Sequence, residues 1–194
     1  MNFLPGNQLN LYGLNKDFDK LIKLYKNKKL PNKFMLSGRK GIGKCTLAYH
    51  LVNFILSENE NLSYNLNNYS INKDNKSFKL VHNGVHPNFY LIDVISEKKT
   101  IDIFQIRNLI SDLNKSNLNL KPRIILIDNI EFFNINSINA LLKILEEPPE
   151  NTYFILINNN KKILPTIKSR CLNFNIILNN KNSVEISNNL FGSK

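Results

Sequence analysis

Between Gly38 and Thr46 the chain reads GRKGIGKCT, with three glycines and a lysine at the spacing of a phosphate-binding loop. Gly38, Gly41 and Gly43 allow backbone amides to turn inward onto a phosphate. Lys44 adds a cation where a helix begins, and the positive end of that helix faces the same anion. The glycine and lysine positions of G-x-x-x-x-G-K are complete. The next position, which supplies a hydroxyl to magnesium, holds Cys45, and a hydroxyl arrives only at Thr46, one residue late. A thiol is a poor ligand for a hard cation. The loop is therefore equipped to cradle phosphate and badly equipped to hold Mg²⁺.

Two further groups bear on phosphate chemistry. Asp128 closes the apolar run RIILID, where an aspartate that organises magnesium would stand. The residue after it, which would have to accept a proton from water, is Asn129, and an amide cannot serve as a base at neutral pH. Glu131 lies two residues on and would point elsewhere if the strand continued. Arg170, in Ser169-Arg170-Cys171, follows a short Pro165–Thr166 segment. The chain has four arginines, Arg39, Arg107, Arg123 and Arg170, among 26 Lys+Arg. A planar guanidinium forks two donors onto a phosphate, which lysine cannot copy.

The elements that must position these groups alternate. KFMLS (33–37) reads as a buried strand running into the glycines, and Leu47, Ala48, Leu51, Val52 and Ile55 mark a helix over 44–56. Further strands are expected at 87–93, 123–128, 152–157 and 171–177. Helices are expected over 101–113 and from 135 to the Pro148–Pro149 stop. An Asn-rich stretch over 58–79 reads as a mobile insertion. This alternation implies an α/β fold with a mostly parallel five-stranded sheet and right-handed crossovers.

Composition narrows the class. At 194 residues and 42% hydrophobic content, the chain can bury a core. The two cysteines are too few for a disulfide framework or a four-thiolate zinc site, and neither a leader nor a membrane span is expected, so a cytoplasmic protein is the simple reading. The formal net charge of +11 attracts nucleic acid without defining a site. His82 and His86 lie in a turn-rich segment with no third ligand at metal spacing.

Three stretches, LSGRKGIGKCTLAYHL, NINSINALLKILEEPPENTYFILI and LPTIKSRC, together resemble the bacterial clamp-loader AAA+ family, and the likeness runs from about Leu11 to Phe174. Within it the chain is similar to the delta-prime type of DNA polymerase III subunit. The resemblance implies a P-loop NTPase (AAA+) three-layer sandwich over 1–178, with 179–194 a tail at the start of a lid domain, and it leads us to expect neither a complete lid nor a collar in this chain. It implies that Gly38, Gly41, Gly43, Lys44, Cys45, Thr46 and Asp128 occupy nucleotide-site positions, with ATP or ADP held weakly and Mg²⁺ poorly supported. Arg170 corresponds to a finger acting in trans on ATP bound to the adjacent motor subunit. Zinc is not expected, because the insertion lacks the cysteines of the family's zinc module. Implied partners are gamma/tau-type and delta-type subunits, the sliding clamp and, through the complex, primer–template DNA, with no membrane. Two alternatives stay open: a self-sufficient ATPase in which Thr46 and a nearby carboxylate stand in for the missing groups, and a DNA-binding module that retains an AAA+ shell.

Overall fold

Strand formation begins where side chains are apolar on both faces. The computed structural model describes residues 4–94, 100–115 and 119–178; the tail expected at 179–194 lies outside them. In chain order the elements are α1 (Asn15–Lys26), β1 (Lys33–Ser37), α2 (Lys44–Leu56), α3 (Lys76–His82), β2 (Phe89–Ile92), α4 (Ile103–Leu113), β3 (Arg123–Ile127), α5 (Ile135–Glu146), β4 (Thr152–Asn158), α6 (Pro165–Lys168) and β5 (Leu172–Asn175). They form two compact units. Among the described residues, one draws on 4–30, 41–85 and 176–178, the other on 31–40 and the described part of 86–175.

The second unit holds the whole sheet. Its five strands are all parallel, in the order β2-β3-β4-β1-β5. Ile124 to Ile127 of β3 are completely buried, as continuous apolar runs in parallel sheets are. On one face Met35, Ile125, Ile127, Phe154 and Leu156 pack with Ile106 and Leu109 of α4 and Leu141 and Leu145 of α5. These helices begin where the sequence offers caps. The Asp102 side chain accepts from the Phe104 amide ahead of α4, and that of Asn134 accepts from the Ser137 amide ahead of α5. Their ends are met by cations. Arg123, buried, donates from Nη1 and Nη2 to the carbonyls of Leu113 and Lys115, each at 2.5 Å, and Lys33 Nζ donates to the Leu145 carbonyl at 2.9 Å. One of the four arginines thus has a structural reason, because a single lysine has no fork with which to hold both carbonyls.

The first unit is built on aromatic contacts. Phe18 of α1 is fully buried and meets the rings of His50, Phe54, Tyr64 and Tyr69. The stretch 58–79, expected to be mobile, is instead packed. Tyr64 is buried against Phe18, Asn65 and Ser70 exchange backbone hydrogen bonds, and Ile71 donates to the Leu9 carbonyl. The Glu60 carboxylate accepts from Ser77 Oγ at 2.7 Å and from the Ser77 amide at 3.1 Å, at the amino end of α3, where the helix dipole favours negative charge. Asparagine-rich composition hid these anchors because asparagine serves turns and caps as readily as disorder.

Candidate functional site

The loop follows β1 without a break. The Gly38 amide donates to the Asn158 carbonyl at 3.2 Å, which ties the start of the loop to the end of β4. Gly41 (φ 86°) and Gly43 (φ 94°) both lie in the left-handed region, where a side chain is strained, and a Cβ on Gly43 would meet Leu14 Cδ1 at 3.2 Å. Helix α2 starts directly at Lys44, which is 3% exposed, and the Leu47 amide donates to the Gly43 carbonyl at 2.8 Å. Cys45 and Thr46 are half-buried on the first turn. Gly38 belongs to the sheet unit, as Asp128 does; Gly41 to Thr46 belong to the helical unit.

At the carboxyl ends of β2, β3 and β4 a set of amides and carboxylates interlocks. Asp128 donates its amide to the Ile92 carbonyl, and its Oδ1 accepts from the Asn129 amide at 2.8 Å. The strand does not continue past this point. Asn129 sits in the left-handed region (φ 54°, ψ 48°), and a 3₁₀ turn over Ile130–Phe132 follows. Glu131 would point elsewhere only if the strand continued, and the turn takes that condition away. Asn159 Nδ2 donates both to Asn129 Oδ1 at 3.0 Å and to Glu131 Oε1 at 2.9 Å, so Glu131 comes back beside Asn129. The second Glu131 oxygen is buried without a hydrogen-bond partner. Asn129 Nδ2 donates to Asp93 Oδ1 at 2.8 Å. An amide fits this position because it presents a donor to Asp93 and an acceptor to Asn159 at once; a carboxylate would set two like charges together. Asp93 and Asn159 were not legible as site residues. Asn159 is the middle of three consecutive asparagines in a chain crowded with them.

Arg170 lies just past α6. Its Nη1 donates to the Thr166 carbonyl at 3.0 Å, its Nη2 pairs with the Glu146 carboxylate at the end of α5, and its side chain is 30% exposed. Beside it Cys171 is buried, and burial pushes its thiol up to about 11, so it is a neutral core group rather than a nucleophile. Glu146 was missed because nothing in its spacing distinguishes it from Glu147. Among the described residues, no cluster of three or more His, Cys, Asp or Glu is arranged to hold a metal ion, and no helix is long and apolar enough to cross a membrane. His86 Nδ1 accepts from the Asn88 amide, a turn contact.

A glycine loop joining a buried parallel strand to a helix, with an aspartate closing a second apolar strand, defines a P-loop α/β protein. A profile of the family described as DNA polymerase III, delta subunit, matches residues 13–179. The DNA polymerase III subunit delta' of Buchnera aphidicola subsp. Baizongia pistaciae is 32% identical over 175 residues, covering 87% of this chain and 51% of its own length. That of Pseudomonas aeruginosa is 31% identical over 140 residues, covering 72% and 41%. Among solved structures, a DNA polymerase III gamma subunit-related protein from Thermotoga maritima shares the fold, with a TM-score of 0.57 at 21% identity over 87% of this chain and 49% of its own. The chain belongs to the DNA polymerase III delta-subunit family and is similar to the delta' subunits of that polymerase. It spans about half the length of the curated relatives it matches.

Proposed function

We propose that this chain is a subunit of the clamp loader of a bacterial replicative DNA polymerase. In this reading it hydrolyses ATP negligibly itself and presents Arg170 to ATP on an adjacent motor subunit. Its partners are gamma/tau-type and delta-type subunits, the sliding clamp and, through the complex, primer–template DNA in the cytoplasm. The observation that carries the reading is the state of Arg170. Its guanidinium is oriented by Glu146 and the Thr166 carbonyl, and its remaining N–H groups are left to meet a phosphate. Charge developing on a transferred phosphoryl group is met most effectively by a pre-oriented fork of this kind.

Lys44 and the loop amides would hold the phosphates of ATP or ADP, which would supply binding rather than turnover here. Hydrolysis lacks its usual parts, since Cys45 stands at the metal-ligand position and the amide of Asn129 at the water-activating one. General-base help alone is worth roughly 10²–10⁴-fold. The alternative of self-sufficient catalysis has one favourable observation, the buried, half-satisfied Glu131 carboxylate. Two measurements decide. The purified chain with ATP and Mg²⁺ should show no turnover above background; a rate near about 1 s⁻¹, typical of working enzymes, that Lys44→Ala abolishes would establish the alternative. Mixed with gamma/tau-type and delta-type subunits, the chain should co-elute in one complex, and failure to do so would count against the assembly role.

A further inference from the structure

Helix α1 turns one face inward and a row of lysines outward. Phe18, Leu21 and Ile22 are buried on the inner side. Helical geometry puts Lys16, Lys20 and Lys23 within about 60° of one another on the opposite side, spaced about 6 Å and about 4.5 Å along the axis, and all three are exposed. Lys28 and Lys29, also exposed, extend the row past the helix end. The two acids of α1 lie to either side of it. Burial raises the Asp17 pKa and nearby Lys20 pulls it back, while Asp19 Oδ2 accepts from the Tyr69 hydroxyl at 2.9 Å.

Stability does not call for this row. Like charges three and four residues apart on a helix repel. Lys16 stands in the first turn, where the helix dipole disfavours a cation. The end of the helix is unusual in the same sense. The Lys28 amide donates to the Tyr25 carbonyl at 2.9 Å and the Lys29 amide to the Leu24 carbonyl at 2.8 Å, a pair of bonds that closes a helix around a left-handed residue. That residue is Lys28, at φ 54°, where glycine or asparagine is favoured. At four of the six other non-glycine positions of positive φ among the described residues, the chain uses asparagine, namely Asn59, Asn129, Asn151 and Asn160. Asparagine is abundant in this chain, so composition alone does not account for a lysine at that turn.

The chemistry of the face selects its partner. None of the apolar residues of α1 is exposed, so the helix has no hydrophobic side to lay into a lipid surface. Protein interfaces are poor in lysine and rich in aromatic anchors, which this face lacks. A row of ammonium groups without base-reading side chains matches a phosphate backbone, which is bound by neutralisation and counterion release. We propose that the outer face of α1, extended by Lys28 and Lys29, docks directly on the phosphate backbone of DNA without reading its sequence. This contact is made by the chain itself and rests on neither Arg170 nor the glycine loop, so its test leaves the assembly role untouched.

The experiment titrates the 194-residue chain, without partner subunits, into a short fluorescein-labelled DNA duplex and reads anisotropy at several salt concentrations. Lys16→Gln, Lys20→Gln and Lys23→Gln together remove the row. Lys76→Gln, Lys143→Gln and Lys162→Gln together remove the same charge from exposed positions elsewhere. The row variant should lower affinity at least about tenfold and reduce the slope of log K against log salt by about 2–3. The charge-matched control should lose less than about threefold and keep the parent slope. Lys28→Asn should weaken binding by about two- to fivefold, while its thermal midpoint stays level or rises because asparagine suits the left-handed turn. Thermal melts of all variants establish that each is folded. No binding by the parent chain, equal losses in the row and control variants, or unchanged affinity in Lys28→Asn would overturn the proposal. Binding to phosphatidylserine vesicles without binding to the duplex would overturn it as well.

Discussion

At the scale of single residues, Asn129 carries the most information. Its side chain holds Asp93 with one end and receives Asn159 with the other. Changing it to Asp should do more than remove a donor, because the new carboxylate would face the Asp93 carboxylate with nothing between them. We expect Asn129→Asp to lower unfolding free energy by about 1–3 kcal/mol at neutral pH and to recover part of that loss in mild acid, as the carboxylate pair takes up a proton. Urea denaturation at two pH values reads both effects; equal stability to the parent protein at neutral pH would show that the Asp93 contact is not a real constraint. The identity of Asn129 was plain in the sequence, and so was its unsuitability as a base. Its reason was not, because the partners Asp93 and Asn159 lie just past the ends of two other strands, β2 and β4, and only the sheet register brings them together.

At the scale of elements, periodicity located the five strands and three of the six described α-helices, α2, α4 and α5. KFMLS and Lys44–Leu56 have the bounds that the apolar spacing implies. The fifth strand is shorter than expected, covering Leu172–Asn175, because Cys171 still belongs to the turn after α6. What periodicity did not find was α1, the short helices α3 and α6, and the packing of 58–79, where order comes from aromatic contacts and capping rather than from an apolar run. Helix α2 shows the consequence. His50 on α2 is fully buried, with Nε2 facing the Gln8 carbonyl at 3.1 Å and Nδ1 facing the Tyr64 hydroxyl at 2.8 Å. Because Gln8 offers only an acceptor, Nε2 carries the proton, and Nδ1 accepts from Tyr64. Burial, the larger influence, lowers the His50 pKa from 6.5 to about 4, against a smaller upward pull from the Gln8 contact. The unfolded chain therefore binds a proton near pH 6.5 that the folded chain refuses until about pH 4. The His50 contribution is complete above about 6.5 and is lost as pH falls through about 4, a total of about 3 kcal/mol. Denaturant midpoints should drop across that window, and the drop should flatten in His50→Gln. A wild-type midpoint that stays level from about pH 7 to about pH 4.5 would contradict this.

At the scale of the whole molecule, the groups with chemical potential are carried by several different elements. Arg170 sits at the end of α6, paired with Glu146 at the end of α5; Asp128 and Asn129 close β3; Lys44 opens α2 in the other unit. A subunit of a larger assembly can carry a reactive group whose substrate belongs to a neighbour. The most direct measurement is single-turnover ATP hydrolysis, stimulated by DNA and clamp, in a complex reconstituted with gamma/tau-type and delta-type subunits and with wild-type, Arg170→Ala or Arg170→Lys chain, after the three are shown to assemble equally. Loss of an arginine finger costs about 10³–10⁵-fold, and lysine keeps the charge without the fork. Both variants should therefore abolish hydrolysis at the adjacent site almost equally. Wild-type hydrolysis and clamp loading with either variant would contradict the account and leave Arg170 as a residue that only ties α6 to α5.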